Sequence, residues 1–463
     1  MATRYSRLTG AFLVTMLALA ACGNGGLSNA DVSGTWLGTI SEGAVPVRVV
    51  FNLSLNPDGK FAGTTDLPDQ GGFGISLSQI EVRGRHVVLA AASLDVSFSG
   101  DLSADGNTLA GTATQAGQTT TLVLEKQPGP LDYRRPQDPV KPYPYNCVDV
   151  TFANSDAGIT LAGTLTWPQG AGPFRTVVLI AGSGPQNRNE ELMNHRPFLV
   201  LSDALTRAGI ATLRYDKRGV GQSGGDYAGA TSPDFAADAR AAVQYLRGQA
   251  SFVASSIGLV GHSEGGLLAP TAAYANPDVA FLVLLAGPGV PGDEVLISQA
   301  RAIGAVQGMS TDQLDEAEAL NRRLYACFRA TSDPKELERQ LRDVLTSAGV
   351  TGAQQDAVIA ELNTPWMRFF VTYDPAPVLT RTAIPVLALN GSLDLQVLPD
   401  LNLPPIQAAL QGAGNQQATV QKLAGLNHLF QHAITGAPTE YGSIDETMAP
   451  EVLAQVAGWI TSL

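Results

Sequence analysis

A serine between glycines at residues 261–265 is the part of this sequence whose residue types most directly suggest chemistry. The stretch reads GHSEG, which matches the pattern G-x-S-x-G of a nucleophilic serine, Ser263, held on a sharp turn. The same pattern occurs again around Ser223, as GQSGG at residues 221–225, in a chain that contains 49 glycines. The motif by itself therefore does not decide which serine is a nucleophile.

The residues on either side separate the two matches. A nucleophile turn of this kind needs a buried strand before it and a helix after it, with glycines where the backbone passes close to itself. Ser263 follows the apolar run SIGLV and precedes the small-residue stretch EGGLLAPTAA, whereas Ser223 has loop-type sequence on both sides. We therefore predict that Ser263 is the nucleophile and that Ser223 matches by chance.

A serine hydroxyl needs a base to remove its proton and an acid to orient that base, and in this arrangement both follow the serine along the chain. Of the two histidines after Ser263, His428 directly follows the predicted strand ATVQKLAG, and His432 lies four residues further on. Asp394 follows the predicted strand IPVLALNG, although an aspartate there could also serve only to form the turn. We predict His428 as the base and Asp394 as the acid, with Asp400 as the alternative acid.

Acyl transfer also needs backbone N–H groups aimed at the oxygen that becomes negatively charged, the oxyanion hole. The residue after the nucleophile, Glu264, supplies one of these donors in this arrangement. The second should come from the loop GSGPQNRNE, which follows the predicted strand RTVVLIA. We predict the N–H of Ser183 there, with Gly182 or Gly184 as alternatives.

The elements that must position these residues form a regular series from residue 147 onward. Two strands, CVDVTFANS and ITLAGTLTW, predict a hairpin, and apolar strands then alternate with helices up to the closing helix APEVLAQVAGWITSL. Such a series predicts an α/β fold with a doubly wound parallel sheet over residues 147–463. Residues from about 291 to 382 interrupt the alternation with charged, helix-prone sequence, which predicts a helical cap inserted into this domain.

The sequence before residue 147 has a different character. Residues 31–126 contain alternating apolar and polar runs such as VRVVFNLSL, separated by turn sequences such as NPDGK, which predicts a small all-β domain, either a barrel or a sandwich. Residues 127–146 contain six prolines and predict an extended linker.

The N-terminus has the pattern of an export signal. Arg4 and Arg7 precede an apolar run over residues 8–21, which is too short to cross a membrane as a helix and is typical of a signal peptide. The run ends in LAAC, which resembles a bacterial lipobox; an ordinary signal peptide with a chance cysteine is the alternative. We predict removal of residues 1–21, lipidation of Cys22, a tether over residues 22–30, and attachment to the membrane of the bacterial cell envelope.

Composition restricts the possible functions further. A chain of 463 residues predicts two or more domains, and a net charge of −13 argues against a nucleic-acid partner. The other two cysteines, Cys147 and Cys327, could pair in an oxidising compartment or remain free thiols, and neither has a metal-ligand spacing. The oligomeric state is left open.

Five motifs together resemble one family. LIAGSGPQNRNEEL, LRYDKRGVGQSGG, LVGHSEGGLLAP, LNGSLDLQV and GLNHLFQ are similar to those of the alpha/beta-hydrolase superfamily, in its serine-aminopeptidase-like branch, and to bacterial carboxylesterases of the EstD kind. This resemblance implies a triad of Ser263, Asp394 and His428 that hydrolyses carboxylic esters, usually with short acyl chains, without metal or cofactor. It also implies an all-β region before the hydrolase domain.

Several other residues are candidates for the surroundings of the site. Asp216 and Arg218 are interpreted as fixing the loop after their strand, and Arg188 and His195 could line the mouth of the pocket. The aromatic residues that end the helical insertion could line an acyl pocket or belong to the core; they are Trp366, Phe369, Phe370 and Tyr373.

The sequence thus favours a serine carboxylesterase acting on a small-molecule ester. A peptidase or amide hydrolase with the same triad is the alternative, and it would need an acidic pocket group for a free amino terminus, for which Glu264 is a candidate by position. A non-catalytic envelope binding protein is a third hypothesis, against which the complete triad argues.

Overall fold

The computed structural model describes residues 31–40, 47–115, 117–249, 253–274 and 276–463. The chain divides into two units, Met1–Tyr133 and Arg134–Leu463, so the division falls inside the predicted proline-rich linker. The predicted signal peptide, the predicted lipidation site Cys22 and the predicted tether lie outside the described residues.

The described part of the first unit is an antiparallel sheet that curls around its own core. Its strands pair in the order β4-β3-β2-β1-β9-β8-β7-β6-β5, in one sheet rather than two stacked ones. The strands are β1 (Gly34–Ile40), β2 (Val47–Leu55), β3 (Phe61–Leu67), β4 (Gly72–Ser76), β5 (Gln79–Arg83), β6 (His86–Ala91), β7 (Val96–Leu102), β8 (Thr108–Gln115) and β9 (Gln118–Lys126).

Alternation of apolar and polar residues explains this curl. Side chains of a strand point alternately to the two faces, so one face of each strand can be apolar. Trp36, Phe51, Phe98 and Leu122 from four different strands are buried together in the core of the sheet. The turn sequence NPDGK closes the hairpin of β2 and β3, with Gly59 at the positive φ of 79° that such a tight turn needs.

The second unit is built on an eight-stranded sheet in the order β10-β11-β13-β12-β14-β15-β16-β17. The first three strands pair antiparallel, and the strands from β13 to β17 pair in parallel. The strands are β10 (Asn146–Asn154), β11 (Ile159–Trp167), β12 (Phe174–Ile180), β13 (Ala211–Tyr215), β14 (Val253–His262), β15 (Val279–Leu285), β16 (Val386–Gly391) and β17 (Ala418–Leu423).

Helices cover both faces of this sheet. Phe198 of helix α1 and Val456 of helix α11 are buried in the core on one face, and Phe235 of α2, Leu268 of α3 and Ile406 of α10 in the core on the other. Burial on both faces explains why the parallel strands read as continuous apolar runs. The helices are α1 (Pro197–Arg207), α2 (Ser232–Arg247), α3 (Glu264–Ala273), α10 (Pro399–Gly412) and α11 (Pro450–Ser462).

The predicted helical insertion lies between β15 and β16. Its amphipathic helices bury Leu324, Phe328, Leu337 and Leu341 in a core of their own, so the insertion is more than a long loop. The helices are α4 (Gly292–Val306), α5 (Thr311–Ala330), α6 (Pro334–Ser347), α7 (Gly352–Leu362), α8 (Pro365–Phe370) and α9 (Ala376–Leu379).

The sheet order places the candidate residues at one edge. After β12 the chain passes to β13 on one side and later to β14 on the other, so the strand order reverses between them. In open α/β sheets the binding crevice lies outside the carboxyl ends of the strands at such a reversal. The loops that follow β12, β13, β14, β16 and β17 all begin at this edge.

Candidate active site

Ser263 lies on the sharp turn between β14 and α3. Its backbone has φ 54° and ψ −121°, a conformation that L-residues rarely adopt and that is typical of a strained nucleophile turn. A Cβ added to Gly261 would lie 1.9 Å from the carbonyl oxygen of Gly265, and one added to Gly265 would lie 1.9 Å from that of Ile180. Both glycines of the motif are therefore required by close backbone contacts.

Ser223, the other match, is held by two hydrogen bonds to the backbone. Its hydroxyl donates to the carbonyl oxygen of Asp216 at 2.7 Å and accepts from the N–H of Ala162 at 2.9 Å, and the residue is buried. A buried hydroxyl that both donates to and accepts from the backbone is held in place and is not presented to a substrate. Ser223 thus fixes the loop after β13 to the neighbouring strand β11.

His428 and Asp394 form a buried pair in the loops after β17 and β16. His428 Nδ1 and Asp394 Oδ2 are 2.8 Å apart, and their side chains are 5% and 0% exposed. The other carboxylate oxygen of Asp394 accepts from the N–H groups of Gln396 and Val397, at 2.8 and 2.9 Å. Asp394 therefore forms its turn and holds the imidazole at the same time.

His262, the residue before Ser263, connects this pair to the nucleophile turn. Its Nε2 donates to the carbonyl oxygen of His428 at 2.9 Å, and the two rings lie 4.8 Å apart between centroids. Its Nδ1 contacts Glu190 Oε1 at 3.0 Å. Burial alone would lower the pKa of His262, but the Glu190 carboxylate raises it above the ordinary value, which favours the imidazolium that donates from both nitrogens.

The structure brings His428 beside the nucleophile turn through this contact. Within the described residues it records no hydrogen bond from Ser263 Oγ to His428. Catalytic hydrogen bonds are commonly long without substrate and shorten when it binds.

Glu264 and the loop after β12 provide the backbone groups near Ser263. Glu264 is the first residue of α3, where backbone N–H groups have no partner within the helix. Gly182 lies against the serine, since a Cβ added to it would be 3.1 Å from Ser263 Cβ, but its N–H donates to Glu190 Oε1 at 2.6 Å. Of the three predicted loop donors, the N–H of Gly182 is therefore occupied and that of Gly184 is hydrogen-bonded to Tyr227, whereas no acceptor for the N–H of Ser183 is found among the described residues.

The side chain of Glu264 is the centre of a buried polar cluster. Its Oε1 accepts from Ser232 Oγ at 2.7 Å and from Trp366 Nε1 at 2.6 Å, and its Oε2 lies 3.1 Å from Lys217 Nζ. The side chain is 1% exposed. With these three donors the carboxylate has no free face for a substrate amine.

The loop after β13 is fixed by ion pairs. Arg188 pairs with Asp216 at 2.7 Å, and Arg218 pairs with Asp238 at 2.7 Å, which attaches the loop to helix α2. Asp216 and Arg218 thus have the loop-fixing contacts that the sequence suggested. Arg188 is engaged in the same network, so its side chain joins the loops after β12 and β13.

His195, the other candidate for the pocket mouth, lies in the core. It is fully buried, with Nδ1 3.0 Å from Thr447 Oγ1 and Nε2 2.9 Å from the carbonyl oxygen of Tyr441. Burial, reinforced by the nearby Arg135, lowers the pKa of His195 to about 4, so the ring is neutral at physiological pH. Its position is that of a core histidine with satisfied hydrogen bonds.

Of the four aromatic residues that end the cap, Phe370 lies in the core and Trp366 belongs to the polar cluster around Glu264. Trp366 stacks on Phe370 with ring centroids 4.8 Å apart, and Phe370 is buried. Phe369 packs against Tyr373 at 5.1 Å, and the Tyr373 hydroxyl bonds to Thr271 Oγ1 of α3 at 3.0 Å. Trp366 and Tyr373 therefore connect the cap to the helix that begins beside Ser263.

The alternative candidates lie elsewhere. Asp400 is in the first turn of α10, with an 85% exposed side chain paired to Lys422. His432 is on the surface between Glu446 and Glu451, at 2.9 and 3.0 Å. Neither contacts His428 or Asp394 in the hydrogen bonds of the described residues.

Metal clusters and membrane-spanning helices are both absent from the part of the chain that the structure describes. No group of three or more histidine, cysteine or acidic side chains there is arranged to hold a metal ion. None of its helices combines the length and apolar character needed to cross a membrane. Cys147 is exposed and Cys327 buried, and both are free thiols.

Lys217 and Glu190 are residues of the site that the sequence did not predict. Lys217 stands between Asp216 and Arg218 in the motif YDKRG, and Glu190 stands in the loop GSGPQNRNE, yet neither was assigned a partner. Their partners, Glu264 and His262, are distant in sequence. A single sequence contains no signal that separates a buried lysine paired across two loops from an exposed one.

The fold and this site define an alpha/beta hydrolase. Residues 196–431 match the family described as Serine aminopeptidase, S33, and the chain belongs to this family.

The chain is also similar to three individual proteins. The chain is 26% identical to Esterase EstD of Thermotoga maritima over 347 residues, which is 72% of each chain. Among solved structures it is similar to the Pyrococcus furiosus esterase Pf2001, with 16% identity, a TM-score of 0.43, and coverage of 69% of this chain and 91% of that one. It is also similar to a proline iminopeptidase of Mycobacterium smegmatis, with 17% identity, a TM-score of 0.42, and coverage of 68% and 98%.

Proposed function

We propose that this hydrolase is a serine carboxylesterase with the triad Ser263, His428 and Asp394. The observation that carries the proposal is the buried hydrogen bond of 2.8 Å between His428 and Asp394, next to a serine on a strained turn. An acid that orients a base beside such a serine is the arrangement that activates a hydroxyl for attack.

The proposed reaction proceeds in two steps. His428 takes the proton of Ser263 as Oγ attacks the ester carbonyl, and N–H groups of Glu264 and Ser183 stabilise the resulting oxyanion. When the bond to the alcohol breaks, His428 returns the proton to the leaving oxygen. A water molecule, deprotonated by the same imidazole, then attacks the acyl-enzyme, releasing the carboxylic acid and free Ser263.

Two observations favour an ester over a peptide with a free amino terminus. An aminopeptidase needs an acidic group to bind the substrate ammonium, and Glu264 was the candidate. Its carboxylate is engaged by Lys217, Ser232 and Trp366 and is 1% exposed. The curated relative named above is an esterase. We therefore propose small esters, with short acyl chains, as substrates.

A single-residue replacement tests the proposal. We expect Ser263→Ala to lower hydrolysis of p-nitrophenyl butyrate by at least about 10³-fold, because the attacking oxygen is lost. Ser223→Ala is the matched control. It should lower the free energy of unfolding by about 1–2 kcal/mol, because two hydrogen bonds to the backbone are lost, but keep most of the activity. An active Ser263→Ala protein would contradict the proposal. So would a wild-type enzyme that cleaves alanine p-nitroanilide faster than the ester.

The proposed enzyme is exported and anchored to the membrane of the cell envelope through lipid on Cys22. This part of the proposal is supported by the sequence pattern of residues 4–22 alone.

A further inference from the structure

Lys217 is a buried cation that contacts both sides of the proposed oxyanion hole. Its Nζ donates to the carbonyl oxygen of Gly182 at 2.6 Å and to Glu264 Oε2 at 3.1 Å. Its side chain is 4% exposed. We propose, resting on the esterase function above, that Lys217 is a positioning residue that orients and polarises both oxyanion donors.

The first step of the argument concerns the peptide between Gly182 and Ser183. In a trans peptide the C=O and N–H groups point in opposite directions. With the Gly182 oxygen held by Lys217, the N–H of Ser183 is directed away from the ammonium. A cation bonded to the carbonyl oxygen also draws electron density through the peptide, which makes the N–H a stronger donor.

The second step concerns Glu264, whose N–H is the other donor. The carboxylate of Glu264 is held by Lys217, by Ser232 at the start of α2 and by Trp366 of the cap. These contacts fix the first residue of α3 relative to three other elements. One ammonium on the loop after β13 therefore couples the loop after β12 to the helix that follows the nucleophile.

The third step is electrostatic. A carboxylate on the residue that binds the oxyanion would by itself oppose the negative charge that develops there. Lys217 neutralises this carboxylate at 3.1 Å, and its ammonium lies 4.4 Å from the centre of the Phe235 ring, in a site with little water to screen charge. The pair thus keeps Glu264 in place without opposing the transition state.

The experiment compares variants that isolate the bond from Lys217 to Gly182. Lys217→Met alone would leave the Glu264 charge buried and unpaired, which is strongly destabilising. Glu264→Gln and the double variant Lys217→Met/Glu264→Gln both lack that charge and differ only at Lys217. Arg218→Met/Asp238→Asn, compared with Asp238→Asn, is the matched control, because it removes a buried cation from the same loop without leaving an unpaired carboxylate and without touching Gly182 or Glu264.

We expect the double variant to have a kcat for p-nitrophenyl butyrate about 10- to 100-fold below that of Glu264→Gln, with little change in KM, because the oxyanion exists only after attack. The inhibition constant of a trifluoromethyl ketone, whose serine adduct carries an oxyanion, should rise by a similar factor. Lys217→Arg should recover most of the wild-type kcat. Arg218→Met/Asp238→Asn should have a lower melting temperature than Asp238→Asn and nearly the same kcat.

Equal kcat values for Glu264→Gln and the double variant would overturn the inference. A parallel rise of KM, or a comparable loss of kcat from Asp238→Asn to Arg218→Met/Asp238→Asn, would also overturn it, since either would indicate general loosening of the loop. These results are distinct from failure of the proposed function, which would show as wild-type ester hydrolysis that is absent or independent of Ser263.

Discussion

At the residue scale, Asp394 shows how two interpretations of one side chain can both hold. One of its oxygens forms the turn after β16 by accepting two backbone N–H groups, and the other holds His428. The turn orients the carboxylate so that it faces the imidazole. An aspartate that looks like a turn former in the sequence can therefore be the acid as well.

Replacement of this carboxylate by an amide tests the role proposed for it. We expect Asp394→Asn to lower kcat/KM on p-nitrophenyl butyrate by roughly 10³- to 10⁴-fold, because an amide N–H facing Nδ1 favours the imidazole tautomer that cannot accept the serine proton. Asp400→Asn is the control, since that side chain is exposed and paired with Lys422. A large loss of kcat/KM in Asp400→Asn, or no loss in Asp394→Asn, would indicate that Asp394 is not the acid and favour Asp400.

The sequence allowed residues to be assigned where chemistry follows directly after a strand. Ser263, Asp394 and His428 each follow a predicted strand, so their positions were enough to propose them. Lys217 and Glu190 were not proposed, because their roles depend on which loops meet across the sheet edge. Arg188 and His195 were candidates for the pocket mouth; in the structure Arg188 is ion-paired with Asp216, and His195 is buried with both ring nitrogens hydrogen-bonded.

At the element scale, the nucleophile turn depends on how closely α3 approaches β12. The carbonyl oxygen of Ile180, the last residue of β12, would be 1.9 Å from a Cβ on Gly265. That oxygen belongs to a central strand of the sheet and has little room to move. Helix α3 can begin directly after Ser263 only because residue 265 has no side chain.

A pair of glycine replacements tests this point. We expect Gly265→Ala to lower the free energy of unfolding by about 3 kcal/mol or more, or to prevent folding, because neither backbone can yield. Gly458→Ala, inside α11 where an added Cβ meets nothing within 4 Å, should instead stabilise by about 0.5–1 kcal/mol. Chemical denaturation measures both, and a stable Gly265→Ala protein would contradict the packing described.

The elements themselves were largely predictable, but their arrangement was not. Strands and helices of the second unit occur where apolar runs and amphipathic stretches indicated them. The sheet order, and the attachment of cap helix α8 to the start of α3 through Trp366, depend on contacts between distant segments. No periodicity within a segment encodes those contacts.

At the scale of the whole molecule, two buried histidines give stability opposite dependences on pH. His262 has a raised pKa, so its stabilising contribution is complete below about pH 6.5 and is lost as the pH rises through the raised value. His195 has a pKa lowered to about 4, so its titration does not change the free energy of unfolding above pH 6.5. Below pH 6.5 this histidine is protonated in the unfolded chain but stays neutral in the folded chain, so the free energy of unfolding decreases as the pH falls.

The His195 effect is measurable as a slope. Between pH 6.5 and 4 we expect the wild type to lose on the order of 3 kcal/mol more stability than His195→Gln, a neutral replacement with no proton to take up. Urea denaturation at several pH values measures the difference, and the variant supplies the background from the carboxylates. Parallel curves for the two proteins would contradict the assignment of a neutral buried His195.

The contact between Trp366 and Glu264 also has a spectroscopic consequence. The indole N–H of Trp366 donates at 2.6 Å to a buried carboxylate, while the indole ring stacks on Phe370. Indole emission responds to nearby charge and to water, so its wavelength depends on whether α8 rests on the start of α3. Because the chain has four tryptophans, it is the difference in emission between the wild type and Trp366→Phe that reports the position of the cap over the nucleophile turn, without any added label.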